Sequence, residues 1–178
     1  HEAKVSFSSE QYRRDAGDAI EAFIRHVQSA PYSDRIAGYT ILGGTTYEWL
    51  RWEPFEKVRF SDYSKPAQRA FAEYLAKYAP GMDARIPTSE ERKAAEFGLF
   101  IDPEKNLRTL LYTRYFSGSI AECLETFIKR ARKAAGENKL IGIYYGYAVA
   151  GGNQGKAVGG SHSALKRVLE IDELDFLL

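Results

Sequence analysis

Apolar residues recur at helical spacing near the start of the chain, at Tyr12, Ala16, Ala19, Ile20, Phe23, Ile24 and Val27. Ser8 followed by Gln11 reads as a capping box that opens this helix, and Pro31 as its stop. The stretch "RIAGYTIL", 35–42, is short and apolar with no helical period, which predicts a strand buried on both faces, as in a parallel sheet. "DYSKPAQRAFAEYLAKYAPG" predicts a second helix. Ser64 caps it, Pro66 sits in its first turn, and Ala67, Ala70, Phe71, Tyr74, Leu75 and Tyr78 form its stripe. "TSEERKAAEF" predicts a short helix with a Thr or Ser cap. Asp102 and Pro103 open a long helical pattern that runs through Leu107, Leu110, Leu111, Ile120, Leu124, Phe127, Ile128 and Ala131 and ends near Gly136. "KLIGIYYGYAV", 139–149, is the second strong strand. A glycine-rich loop, a short helix from about Ser161 to Leu169, and a third strand in "ELDFLL" complete the chain.

The order helix, strand, helices, strand, helix, strand implies right-handed crossovers and a parallel sheet in one α/β segment spanning 1–178. Three strands fall short of a closed barrel, which takes eight and typically ~250 residues. The segment therefore reads as a small open α/β sheet or as part of a larger barrel.

Composition narrows the partners. Twenty-five Lys and Arg against 24 Asp and Glu leave a net charge of +1, so no global field favours nucleic acid or an anionic membrane. No apolar run approaches the ~20 residues of a membrane helix. Cys123 is alone and falls in a helical pattern, which predicts a small buried core residue. One Cys and three His argue against a Cys/His zinc site, and nothing in the chain asks for a metal or other cofactor. The chain begins with His1, as a processed chain or a fragment does, and gives no compartment.

Candidate chemistry lies where parallel α/β structures keep it, in loops after the carboxyl ends of strands. The first such loop carries "GGTTYEWLRW", in which Glu48 stands beside Trp49 with Trp52 three residues on. Its bland reading is a surface ion pair or a helix cap. An apolar wall beside a carboxyl group favours the proton-donating form, and Trp faces stack on the C–H faces of sugars, so the same residues also suit a general acid beside a carbohydrate. The tryptophans read equally as core packing. In the second loop, "AGGNQGKAVGGSH" fails as a phosphate cradle, because Ala157 stands where Ser or Thr must ligate magnesium. His162, at its far end, divides between a cap or surface role and a place in the pocket. Tyr145 and Tyr147 alternate along the expected strand and so share a face, with Tyr147 reaching the mouth and Tyr145 at least partly in the core.

Several blocks in order resemble the middle of β-galactosidase-like glycoside hydrolases related to glycoside hydrolase family 42. They are "VSFSSEQYRRDAGDAIEAFIRHVQSAPYSDRIAGYTILGGTTYEW", "FSDYSKPAQRAFAEYLAKY", "IGIYYGY" and "GGSHSALKRVLEIDELDFLL". The resemblance implies a partial (β/α)8 barrel around strands 4 to 6, with about three parallel strands and flanking helices. It makes Glu48 the general acid/base, Trp49 and Trp52 walls for the sugar, and Tyr145, Tyr147 and His162 substrate-side residues. Tyr47 departs from the pattern of many related barrel glycosidases, which place Asn before the acid/base. The family's nucleophile comes from a seventh strand, outside this chain, so the chain alone is expected to be inactive. The implied partner is a carbohydrate substrate, and exposed fragment edges imply self-association. A non-catalytic carbohydrate-binding or scaffold α/β protein, and a small open α/β protein that binds a nucleotide, remain the rival readings.

Overall fold

The computed structural model describes residues 5–44, 47–50, 62–95, 102–147 and 161–178. The elements run α1 (Glu10–Gln28), a 3-10 turn (Ser33–Arg35), β1 (Gly38–Ile41), α2 (Lys65–Tyr78), α3 (Ser89–Ala95), α4 (Pro103–Ala135), β2 (Leu140–Ile143), α5 (Leu165–Leu169) and β3 (Phe176–Leu177). The fold is α/β, and its three strands pair in parallel in the order β1-β2-β3. Gly38 pairs with Leu140 and Ile41 with Ile143 across the first ladder, and Gly142 with Phe176 across the second. Among the described residues the sheet is open at β1 and at β3.

Local chemistry starts the helices much as expected. Ser64 accepts the Ala67 N–H at 3.3 Å, and Asp102 accepts the Glu104 N–H at 3.0 Å. At α3 a full capping box forms: the Thr88 hydroxyl accepts from the Glu91 N–H at 3.2 Å and the Glu91 carboxylate from the Thr88 N–H at 2.7 Å. Arg85 grips the same carboxylate through two bonds of 2.6 Å, which together with the Thr88 N–H hold Glu91 down to about 2. The start of α1 differs from expectation by one residue. Ser9 is the cap and accepts from the Tyr12 N–H, while the Ser8 hydroxyl bonds that of Tyr115 at 2.6 Å and Gln11 turns to Asp15.

The long helix α4 is the centre of the packing. Tyr112, Phe116, Ile120, Leu124, Phe127 and Ile128 are all buried on it, and α1, α2, α3, α5, β1 and β2 all contact it. Cys123 is buried there too, and burial pushes its thiol up to about 12. The α1 stripe divides between two surroundings. Ile24 and Val27 are buried, whereas Phe23 stays 62% exposed. Phe23, with Ala19 and Ile20, instead lines an open apolar groove against Tyr39, Ile41 and Leu42. That groove explains why β1 is half-buried rather than buried on both faces, with Ile41 alone fully inside.

Arg132 ties the starts of β2 and β3 together. Its guanidinium donates to the carbonyls of Lys139 at 2.6 Å and Glu173 at 3.2 Å and to the Asp175 carboxylate. Asp175 in turn accepts the Ile141 N–H at 2.6 Å, and that bond, followed by the Arg132 charge, holds its carboxyl below the usual range.

The packing predicts a sharp contrast between two apolar positions. Ile128→Ala lowers the unfolding free energy by about 2–5 kcal/mol, because the site is closed on all sides. Phe23→Ala stays within about 0.5 kcal/mol, because its ring is mostly in water already. Urea unfolding of the two variants measures this, and equal losses would contradict the assignment of α4 as the core.

Candidate active site at the carboxyl ends of β1 and β2

The loop after β1 folds back on the strand that feeds it. The Gly43 N–H donates to the Tyr47 carbonyl at 3.3 Å, and the Trp49 N–H donates to the Gly43 carbonyl at 2.8 Å. Gly43 and Glu48 thereby form a bridge in parallel sense. Gly43 is needed here, since a Cβ at that position would lie 2.7 Å from the Trp49 ring. Tyr47 and Trp49 both adopt left-handed backbone, at φ 69° and 59°. A bulky residue held there costs of order 1–3 kcal/mol. Glu48 sits between the two and is half-buried.

Trp49 explains how this turn is held. Its side chain is fully buried, its indole N–H donates to the Ile41 carbonyl at 3.0 Å, and its ring packs between Phe7 and Phe127 at centroid distances of 6.0 and 5.8 Å. The expectation that Trp49 walls a sugar is corrected: it presents no face to solvent, and the core-packing reading holds. Trp52 lies outside the described residues. The exposed aromatic next to Glu48 is Tyr47, at 68%.

The loop after β2 places its tyrosines differently from an extended strand. Pairing ends at Ile143, so Tyr144 to Tyr147 lie past the strand and do not alternate between the faces of the sheet. Tyr145 turns into the core and is 3% exposed; its hydroxyl donates to the Ser161 carbonyl at 3.2 Å and lies 3.5 Å from the Ser117 hydroxyl. It is therefore not a substrate-facing residue, because its polar end is already engaged inside. Gly146 takes φ 106°, which allows the chain to reverse. Tyr147 then comes to Glu48. Burial, then the charge of the nearby Glu48, and then Tyr144 push the Tyr147 phenol above its ordinary value.

His162 backs both loops and is fully buried, which corrects its expected place against substrate. Its Nδ1 accepts from the N–H groups of Gly146 and Tyr147, both at 3.2 Å, and its Nε2 lies 2.8 Å from the Glu48 carbonyl. Two donors at Nδ1 and one acceptor at Nε2 require a neutral ring with its proton on Nε2. Burial lowers its pKa and so favours that neutral form. The ring stacks on Tyr145 at 4.1 Å and on Tyr147 at 5.4 Å. Ser117, in the middle of α4, supports the arrangement from below. Its hydroxyl donates to the Ser161 carbonyl at 2.9 Å and accepts from the Ala164 N–H at 3.0 Å. Nothing in the sequence singled Ser117 out, since a mid-helix serine 44 residues from its partner carries no local signal.

Thus Glu48, Tyr147 and His162 come together from three separate stretches of chain. Two other carboxylates near strands do not join them. Asp62 accepts from the Ser64 N–H at 2.9 Å and supports the start of α2. Asp175 lies at the opposite end of the sheet, before β3 begins. Among the described residues no group of His, Cys, Asp and Glu is placed to hold a metal ion, and no helix is long and apolar enough to cross a membrane. One half-buried carboxylate, with a phenol near it at the adjacent strand end, is equipped to give and take a proton.

The anchoring role of Trp49 predicts that Trp49→Ala lowers the unfolding free energy by about 3–5 kcal/mol in urea melts. A loss within about 0.5 kcal/mol would place the ring on the surface instead. Comparison of the chain with known protein families, with curated proteins and with solved structures finds no match.

Proposed function

We propose that this chain is part of a β-galactosidase-like glycoside hydrolase, with Glu48 as the general acid/base. The observation that carries the reading is the placement of Glu48: half-buried, on a strained turn past the carboxyl end of β1, and near enough to Tyr147 of the neighbouring strand end for its charge to raise the phenol. Catalytic groups of parallel α/β enzymes collect at that end of the sheet. The reaction class is taken from the resemblance of "GGTTYEW" and the blocks around it to those enzymes.

In this reading Glu48 protonates the leaving glycosidic oxygen and then draws a proton from water. The Tyr147 phenol lies near that carboxylate and is placed to donate to its ionised form. The exposed ring of Tyr47 takes the sugar-side position that buried Trp49 cannot. The nucleophile lies on a strand outside these 178 residues, about 5–5.5 Å from Glu48 if the enzyme retains configuration. The open edge of β1, beside an apolar groove, fits a barrel in which a neighbouring strand covers it.

In the parent enzyme, Glu48→Gln lowers kcat/KM on glycosides with poor leaving groups by about 10²- to 10⁴-fold and spares kcat/KM on activated aryl glycosides, whose first step needs no protonation. Steady-state kinetics on an alkyl and a dinitrophenyl glycoside of the same sugar reads the difference. Equal loss on both would reject the acid/base role. Sugar binding by a parent with no turnover at all would favour the carbohydrate-binding scaffold.

A further inference from the structure

We infer that His162 is a positioning residue: its neutral imidazole joins the loop after β1 to the loop after β2 and so fixes the Glu48 carboxylate against the Tyr147 phenol. The catalytic consequence rests on the reading of Glu48 as acid/base, whereas the joint itself is a property of this chain alone.

The geometry leaves the ring little freedom. Nε2–H meets the carbonyl of Glu48 itself, the residue between two left-handed neighbours. Nδ1 meets the N–H of Tyr147 itself, and that of Gly146, whose positive φ sets the direction of the loop. The ring thus bonds the backbone of both Glu48 and Tyr147, and it stacks on the ring of the latter. Among the described residues, the charged and titratable groups facing it are Glu48 from the first loop and Tyr145 and Tyr147 from the second. From α4, Ser117 holds Ser161, the residue before it.

A second proton would put an N–H on Nδ1 facing two N–H donors, so protonation breaks the joint. The linkage has a definite sign. The unfolded chain takes up this proton near the ordinary histidine value of about 6.5, while burial lowers the folded value. The unfolded state then binds more protons in the window just below pH 6.5, so stability falls as pH falls through it. The same acidification releases Glu48 from Tyr147.

Imidazole ¹⁵N spectra of the 178-residue chain test the tautomer. His162 is expected with Nε2 protonated and Nδ1 bare, persisting to a pH at which free histidine is mostly charged. A double-mutant cycle tests the positioning. In the wild-type background, Glu48→Gln moves the Tyr147 phenol titration downward, read from its ¹³Cζ signal. In His162→Asn, which offers an acceptor near Nδ1 but cannot reach the Glu48 carbonyl, and in His162→Gln, which reaches that carbonyl but abandons the Gly146 and Tyr147 N–H groups, that downward movement is lost. A histidine with a merely structural role would lower the Tm in both variants and leave the Tyr147 response intact, and that result overturns the inference. A protonated Nδ1 at neutral pH overturns it as well, even if neither variant folds. If the cycle shows coupling while Glu48→Gln leaves the parent's glycoside turnover unchanged, the joint stands and the glycosidase reading falls.

Discussion

Everything else in this molecule is arranged around the burial of α4. Beyond a kink at Asn106 the helix runs on to Ala135, roughly 45 Å, and most faces of its central turns are buried. Such a helix is stable only when its apolar faces are covered, and here α1, α2, α3, α5 and the first two strands supply the cover. The same helix reaches the candidate site twice. Phe127 packs on Trp49, which sits beside Glu48, and Ser117 bonds the Ser161 carbonyl and the Ala164 N–H, which hold the segment carrying His162. The position of a surface carboxylate is therefore tied to core packing through one aromatic ring and one hydroxyl.

The turn that carries Glu48 balances strain against anchorage. Two left-handed, non-glycine residues cost of order 1–3 kcal/mol each. Truncating a buried Trp costs about 3–5 kcal/mol, so the burial of Trp49 is of the size needed to hold such a conformation. Backbone bonds from Gly43 and the imidazole of His162 add direction to that anchorage. The outcome is a carboxylate with a defined backbone and a half-exposed side chain, which is what proton transfer to a bound ligand requires.

Charge is distributed along the sheet with a similar logic. At the amino ends of β2 and β3, Arg132 and Asp175 are absorbed in bonds to backbone groups and to each other. These groups close off strand starts and hold register. At the carboxyl ends, Glu48 and Tyr147 interact with each other and remain partly open to solvent. One end of the sheet is fastened and the other keeps a carboxylate and a phenol partly open to solvent.

Periodicity and capping made the elements legible. The helices starting at Ser64 and Asp102, and the parallel sheet, follow from local patterns, because caps and apolar stripes act over a few residues. Sequence also brought Glu48, Tyr147 and His162 forward as residues of interest, through their positions after strands and through family resemblance. It could not divide their roles. Trp49 beside a carboxylate reads as a sugar platform until Phe7 and Phe127, 42 and 78 residues away along the chain, enclose it. Tyr145 and His162 look like pocket residues until Ser117 and Ser161 close over the one and three backbone groups surround the other. Whether an aromatic or an imidazole faces water depends on which distant segments pack against it, and a linear pattern carries no measure of that. The sequence by itself determined which residue types stand at the ends of the strands; only tertiary packing decided which of them face outward and which hold the others in place, because burial is a property of contacts between segments far apart in the chain.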